Sequence, residues 1–194
     1  CNKYFHKYII IILISKKITF MLSILIPVRN EYENLSKIES IFQQNLKNTS
    51  YEVLLVNDFS TDQTLSRGKE IASQNNNFRI LENQNKGLGG ALNLGIKEAK
   101  GKYLCIMMAD FSDDIEDLKK YIDYIERDNL DAVFGSRFIE GSKIYDYPKK
   151  KLILNRIFNN IVKILFWNSY NDYTNAFKIY RLSVLKSFQP FVSE

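Results

Sequence analysis

Histidine is almost missing from this 194-residue sequence: the single one, His6, stands near its start. That absence excludes a Ser-His-Asp or Cys-His mechanism, and a His-ligated zinc centre, from the rest of the chain. Any acid, base or metal ligand must then come mainly from carboxylates. Cysteine is scarce too. Cys1 and Cys105 give no disulfide framework, so a reducing compartment is the default. Cys105 sits in an apolar run and reads as a small core residue. Low-complexity segments and internal repeats are lacking. The apolar run Tyr8–Ile14 is too short to span a bilayer, which takes about 20 residues.

An excess of charge is present but local. The formal net charge is +5, from 27 basic and 22 acidic residues. Lys3, Lys7, Lys16 and Lys17 lie in residues 1–20, which hold no acid, so 23 basic residues face 22 acidic ones elsewhere. A nucleic-acid footprint is therefore not supported. Residues 1–20 look foreign to the remainder of the chain. Their apolar run resembles a signal-peptide core but lacks a small-residue cleavage site. Met21 stands directly before the first clear strand. The expectation is that residues 1–20 are translated upstream sequence or a short membrane-surface anchor. The domain would then occupy residues 21–194, and Phe188–Glu194 suggests that it is cut before its end.

From Met21, strand and helix patterns alternate. Leu22–Val28 is a strand. Asn30 is the expected cap of the next helix, with Glu33 at the capping-box position and Leu35, Ile38, Ile41, Phe42 and Leu46 at helical spacing. Further strands are expected at Glu52–Val56, Phe78–Leu81, Lys102–Met108 and Asp131–Phe134. Helices are expected at about 63–73, 91–99 and 115–127, the last capped by Asp113 or Ser112. Lys149–Trp167 reads as an amphipathic helix. Its apolar face is expected to pack on the sheet, with a membrane surface as the rival partner. The order β-α-β-α-β-α-β-α-β predicts an α/β fold: a mostly parallel sheet with helices on both faces.

In such a sheet, ligands sit outside the carboxyl ends of the strands. Those ends carry Pro27, Arg29, Asn30 and Glu31; Asn57 and Asp58; Asp110, Asp113 and Asp114; and Ser136 and Arg137. Some of these side chains do no more than shape turns and cap helices. Asp58 and Asp110 stand out because each closely follows an apolar strand. The loop Lys86–Gly90 is neither a P-loop nor a dinucleotide fingerprint. It reads as a place where backbone passes close to another element.

Six blocks together carry a resemblance: LSILIPVRNEYENL, VLLVNDFSTDQT, NKGLGGALNLGIKEAKGKY, IMMADFSDDIEDL, DAVFGSRF and DYTNAFKIYR. In this order they resemble family 2 glycosyltransferases of the GT-A (Rossmann-like) fold, in particular dolichyl- and polyprenyl-phosphate mannosyl- or glucosyltransferases. The resemblance covers about residues 22–190. It implies transfer of a hexose, with inversion, from a nucleoside diphosphate sugar such as GDP-mannose or UDP-glucose to a polyprenyl phosphate. It implies that Pro27, Arg29, Glu31, Val56 and Asp58 line the nucleotide pocket, Arg29 replacing a frequent tyrosine. Ala109 and Asp110 match the end of an Asp-X-Asp motif, and Arg137 matches an arginine that contacts phosphate. Asp172, Thr174, Asn175 and Phe177 match an acceptor-side block. The resemblance also implies a place at the cytoplasmic face of a membrane, peripheral or held by segments outside this chain.

The chemistry agrees with that resemblance. Negative charge develops on a departing diphosphate, and a divalent cation with a fixed arginine stabilises it. Mg²⁺ or Mn²⁺ suits oxygen donors. A phosphate acceptor is already an anion, so a domain without histidine suffices. The departure is Met108, where the family motif usually has its first aspartate. Asp110 is then expected to bind metal with support from Asp113 or Asp114. Weak metal dependence and inactivity are the other readings. Two alternative functions stand beside the first. One is transfer to a saccharide hydroxyl, with Asp113 or Asp114 as base. The other is a non-catalytic sugar-nucleotide-binding module.

Overall fold

The structure, a computed structural model, describes residues 22–110, 112–139 and 148–191. The expected leader lies outside the described residues. One six-stranded sheet forms the centre, in the order β3-β2-β1-β4-β6-β5. Its strands are β1 (Leu22–Val28), β2 (Tyr51–Asn57), β3 (Phe78–Glu82), β4 (Tyr103–Ile106), β5 (Ala132–Phe134) and β6 (Lys178–Arg181). The first four pair in parallel, with Leu22 opposite Tyr51 and Tyr103. β6 is antiparallel to both β4 and β5. The expected mostly parallel α/β sheet is therefore present, with one reversed strand that the alternating pattern did not reveal.

Alternation along β1 sends neighbouring side chains to opposite faces. Ile24 and Ile26 join the apolar cluster beneath α1 (Tyr32–Asn45), α2 (Thr64–Gln74) and α4 (Ile115–Arg127). Leu25 joins the cluster beneath α3 (Leu88–Glu98) and α6 (Leu182–Ser187). Each fully buried Leu or Ile here contributes about 1.5–3 kcal/mol. α3 lies so close to the sheet that a Cβ on Gly95 would stand 2.1 Å from Leu25 Cδ1. At the amino end of the sheet, buried Glu52 accepts hydrogen bonds from Ser23 Oγ (2.7 Å) and Lys100 N (2.7 Å) and meets Arg79 at 3.3 Å. That knot locks the end opposite the strand termini of interest.

Three local expectations are corrected. Asn30 does not cap α1; it has a positive φ of 58°, and its Oδ1 accepts from Thr61 N at 2.8 Å, tying the loop after β1 to the loop after β2. The flanking residue of α1 is Glu31, which makes no side-chain cap bond. The cap of α4 is neither Ser112 nor Asp113 but Asp114, whose Oδ1 accepts from Glu116 N at 2.9 Å. The largest correction concerns α5 (Lys149–Leu165). Its apolar residues do not pack on the sheet: Ile153, Leu154, Ile157, Phe158, Ile161, Ile164 and Leu165 are all more than half exposed. A buried polar residue, Asn159, faces inward instead.

Candidate functional site

Parallel pairing of β1, β2 and β4 brings their carboxyl ends to one edge. β6 runs the other way, so its amino end, with residues 172–177 leading into it, reaches the same edge. This is how Asp58, Asp110, Asp113, Arg137 and Asp172 come to share one rim from distant parts of the sequence.

On the β1–β2 side, Pro27 stands opposite Val56 in the register. Arg29 is exposed and Glu31 half-buried. Glu31 N donates to Thr64 Oγ1 (2.8 Å), and Glu31 Oε2 accepts from Asn34 Nδ2 (2.6 Å). A cleft of about 840 Å³ lies here, lined by Asn30–Asn34 and Thr61–Gln63. The Val56 side chain is wholly buried in the α3-side cluster, so only its backbone reaches the rim.

Asp58 is buried. Its Oδ1 accepts from Asn83 Nδ2 (2.8 Å) and from Gly87 N (2.9 Å). Asn83 Nδ2 also donates to Asn85 O at 2.6 Å. The glycine loop is thus gathered onto Asp58. Gly87 has a φ of 111°, in the region that glycine alone adopts cheaply, and a Cβ on Gly90 would fall 1.8 Å from Asn85 O. The loop does bring backbone close to another element. Asn83, which organises it, carried no signal in the sequence beyond its place after β3.

The β4 end carries the acids. Ala109 is buried and Asp110 exposed. Asp110 Oδ1 accepts from Ser112 N at 3.0 Å. Asp113 folds back: its Oδ2 accepts from Met108 N at 2.9 Å. Burial pushes the Asp113 carboxyl up to about 6; the Met108 N–H opposes this, the nearby Asp110 charge adds to the rise, and Arg137 opposes it. Position 108 lacks a carboxylate of its own, yet its backbone holds one in place. Asp114 is committed to capping α4 and is exposed.

Across the rim, Arg137 is clamped by Asp172, which is fully buried. Arg137 N and Nε both donate to Asp172 Oδ2 (2.9 Å each), and Nη2 donates to Asp172 Oδ1 (2.7 Å). Such a two-pronged contact fixes the plane of the guanidinium. Nη2 also donates to Thr174 Oγ1 at 3.1 Å. Gly135, just before, admits no side chain, since a Cβ would meet Tyr121 Oη at 1.7 Å. Tyr121 stacks on Phe177 with ring centres 4.7 Å apart. Asn175 Nδ2 lies 3.4 Å from Gly135 O, and Ser136 Oγ donates to Asn171 Oδ1 at 2.5 Å. The sequence offered Arg137 and Asp172 separately; their pairing emerges only because β6 is reversed.

Asp110 and Asp113 offer hard oxygen donors, and the Asp110 charge adds a smaller share to the rise that burial imposes on the Asp113 carboxyl. That donor set fits Mg²⁺ or Mn²⁺. Among the described residues no group of three or more His, Cys, Asp or Glu side chains is placed to hold a metal ion, so water or ligand oxygens would complete any coordination shell.

The sequence matches the profile of Glycosyl transferase family 2 over residues 23–188. It is 32% identical over 134 residues to a dolichol-phosphate mannosyltransferase of Pyrococcus furiosus, covering 69% of this chain and 38% of that protein. It is 27% identical over 169 residues to a dodecaprenyl-phosphate galacturonate synthase of Rhizobium johnstonii, covering 85% of this chain and 49% of that protein. The chain thus spans less than half the length of these curated relatives. Among solved structures, the mannosyltransferase PcManGT of Pyrobaculum calidifontis, in complex with GDP-Man and Mn²⁺, superposes with a TM-score of 0.61 at 17% identity, covering 89% of this chain and 48% of that one. Glucosyl-3-phosphoglycerate synthase of Mycobacterium tuberculosis, with Mn²⁺, UDP and phosphoglyceric acid, gives a TM-score of 0.66 at 13% identity, covering 87% and 58%. Sheet order and these likenesses identify the fold as GT-A. With the profile spanning nearly the whole sheet and its helices, the chain belongs to glycosyl transferase family 2.

Proposed function

We propose that the chain is the catalytic domain of an inverting glycosyltransferase that moves a hexose from a nucleoside diphosphate sugar to a polyprenyl phosphate. The observation that carries this reading is the pairing of two features on one rim: the Asp110–Asp113 acid pair and the Asp172-clamped Arg137. Acids and a fixed cation side by side suit a diphosphate that must be held and then released with extra charge. The dolichol-phosphate and dodecaprenyl-phosphate relatives supply the acceptor class.

In this reading Pro27, Arg29, Glu31, Asp58 and the Val56 backbone border the nucleotide. Asp110 and Asp113 hold Mg²⁺ or Mn²⁺, Asp113 serving in place of the carboxylate that position 108 lacks. Held there, such a cation would supply Lewis-acid neutralisation of the leaving diphosphate. Arg137, with Ala109 beside the acids, faces the diphosphate, and its orientation is set by Asp172 and Thr174. The acceptor phosphate oxygen attacks the sugar's anomeric carbon from the face opposite the diphosphate. The carbon–oxygen bond to the diphosphate breaks, and its electron pair leaves with the diphosphate. The acceptor oxygen carries no proton to remove, so no histidine is required. A lipid acceptor places the work at a membrane surface, and residues 1–20 lie outside the catalytic domain.

A second reading has one observation of its own. Asp113 is a half-buried carboxyl that Met108 N holds at the rim (2.9 Å) and that burial pushes up to about 6; a carboxyl so placed suits a general base for a sugar hydroxyl acceptor. Radiolabelled sugar transfer, offered polyprenyl phosphate and a soluble glycan in parallel, separates the two. Label in the lipid phase supports the first reading; label in the glycan alone supports the second. Binding of nucleotide sugar with neither transfer nor hydrolysis would leave a non-catalytic module.

A further inference from the structure

α5 is a helix with two incompatible faces. Taking about 100° per residue, Ile153, Ile157, Ile161 and Ile164 run down the middle of one side, flanked by Leu154 and Phe158, all more than half exposed. Just past the helix, Phe166 and Trp167 are exposed as well, the latter 93%. On the opposite side Asn159 is fully buried. Its Nδ2 donates to Asn155 O (2.9 Å), and its Oδ1 accepts from Tyr173 N (2.5 Å). Asn155 Nδ2 donates to Thr174 Oγ1 at 2.7 Å. The helix is therefore latched by polar contacts to the loop that holds Arg137, while its apolar side stays more than half exposed.

We propose that this face seats the enzyme on an anionic lipid surface. Charge chooses the occupant. Residues 149–165 contain five basic residues and no acid. A second copy of α5 would bring like charge against like. The apolar run in residues 1–20 comes with four lysines and no acid, so it is no better matched. Anionic headgroups complement the lysines, acyl chains take the isoleucines, and Phe166 and Trp167 suit the boundary between them. Lys150 stands at the start of the stripe, where a long side chain reaches up to headgroup phosphates.

The inference deepens the lipid-acceptor reading and rests on it for one consequence. Docking through α5 holds Thr174 and Arg137 at headgroup level, where a polyprenyl phosphate presents its phosphate. The helix thus joins a surface to a site through the chain Asn159–Tyr173 and Asn155–Thr174–Arg137.

The test is co-sedimentation of the 194-residue chain with vesicles of phosphatidylcholine alone or mixed with phosphatidylglycerol, without nucleotide sugar or acceptor. Failure of the transferase reading would leave this result untouched. Binding is expected on the mixed vesicles, weakened by salt. Ile157→Asp with Ile161→Asp is expected to lower partition roughly tenfold or more, and Lys150→Glu roughly fivefold or more. All three positions are exposed, and circular dichroism checks that the fold is kept. Deletion of residues 1–20 is expected to leave α5-dependent binding in place. The proposal is overturned if the double variant sediments like the parent, or if the deletion alone removes binding. It is equally overturned if Ile157→Asp dissolves a concentration-dependent dimer while vesicle binding persists.

Discussion

At Asp110 a carboxylate leaves the sheet with one oxygen engaged by the next turn, and the proposed function makes it the leading metal ligand. Asp110→Asn keeps the shape and removes the charge, so turnover should fall by at least about a hundredfold. Asp62→Asn is the contrast. Asp62 borders the cleft, but its Oδ1 accepts from Thr64 N at 2.9 Å at the start of α2, a bond that the Asn amide oxygen keeps, so its substitution should leave turnover within roughly twofold. Steady-state kinetics on the two variants checks this, and near-parental activity in Asp110→Asn would remove Asp110 from the site. Arg137 is the second test. Arg137→Lys keeps a cation but loses the planar fork that meets Asp172, so kcat should drop strongly. Arg137→Ala should also lower stability by about 3–5 kcal/mol, because Asp172 would remain buried without its partner. Denaturant unfolding of the two variants separates the catalytic loss from the structural one.

Elements decide which residues can meet. Apolar spacing made β1, β2, α1 and α4 legible in the sequence, the α4 bounds coinciding residue for residue. β6 and α6 were missed. β6 spans four residues, mixed in polarity, too few for a period of two to stand out. Arg137 and Asp172 were each legible, but their clamp depends on that reversed strand. α5 misled for a physical reason: an apolar stripe at helical spacing says that a face seeks an apolar partner, not where the partner is. The signal that could have oriented it was Asn155 and Asn159, four apart, in a helix whose other residues are apolar or basic apart from the exposed Asn160. Asn159→Leu should cost about 1–3 kcal/mol by leaving Tyr173 N without its acceptor, measured as a lower Tm. At the glycine loop, Gly90→Ala should destabilise by about 1–3 kcal/mol, since Asn85 O occupies the space a Cβ needs. It should also weaken nucleotide-sugar binding by calorimetry, as the loop is moored to Asp58.

The whole molecule has a division of labour between its ends. At the amino end of the sheet, Glu52, Ser23 and Arg79 form a closed knot. At the carboxyl end, acids, a clamped arginine and the latched α5 share one rim. Among the described residues no helix is long and apolar enough to cross a membrane. The most direct measurement is transfer of radiolabelled hexose from GDP-mannose or UDP-glucose to polyprenyl phosphate, with Mg²⁺ or Mn²⁺ and then with chelator. Label should enter the lipid phase with one of the donors, and chelator or Asp110→Asn should abolish it. Bound nucleotide sugar with no label transferred from either donor, or transfer undiminished in Asp110→Asn, would contradict the account.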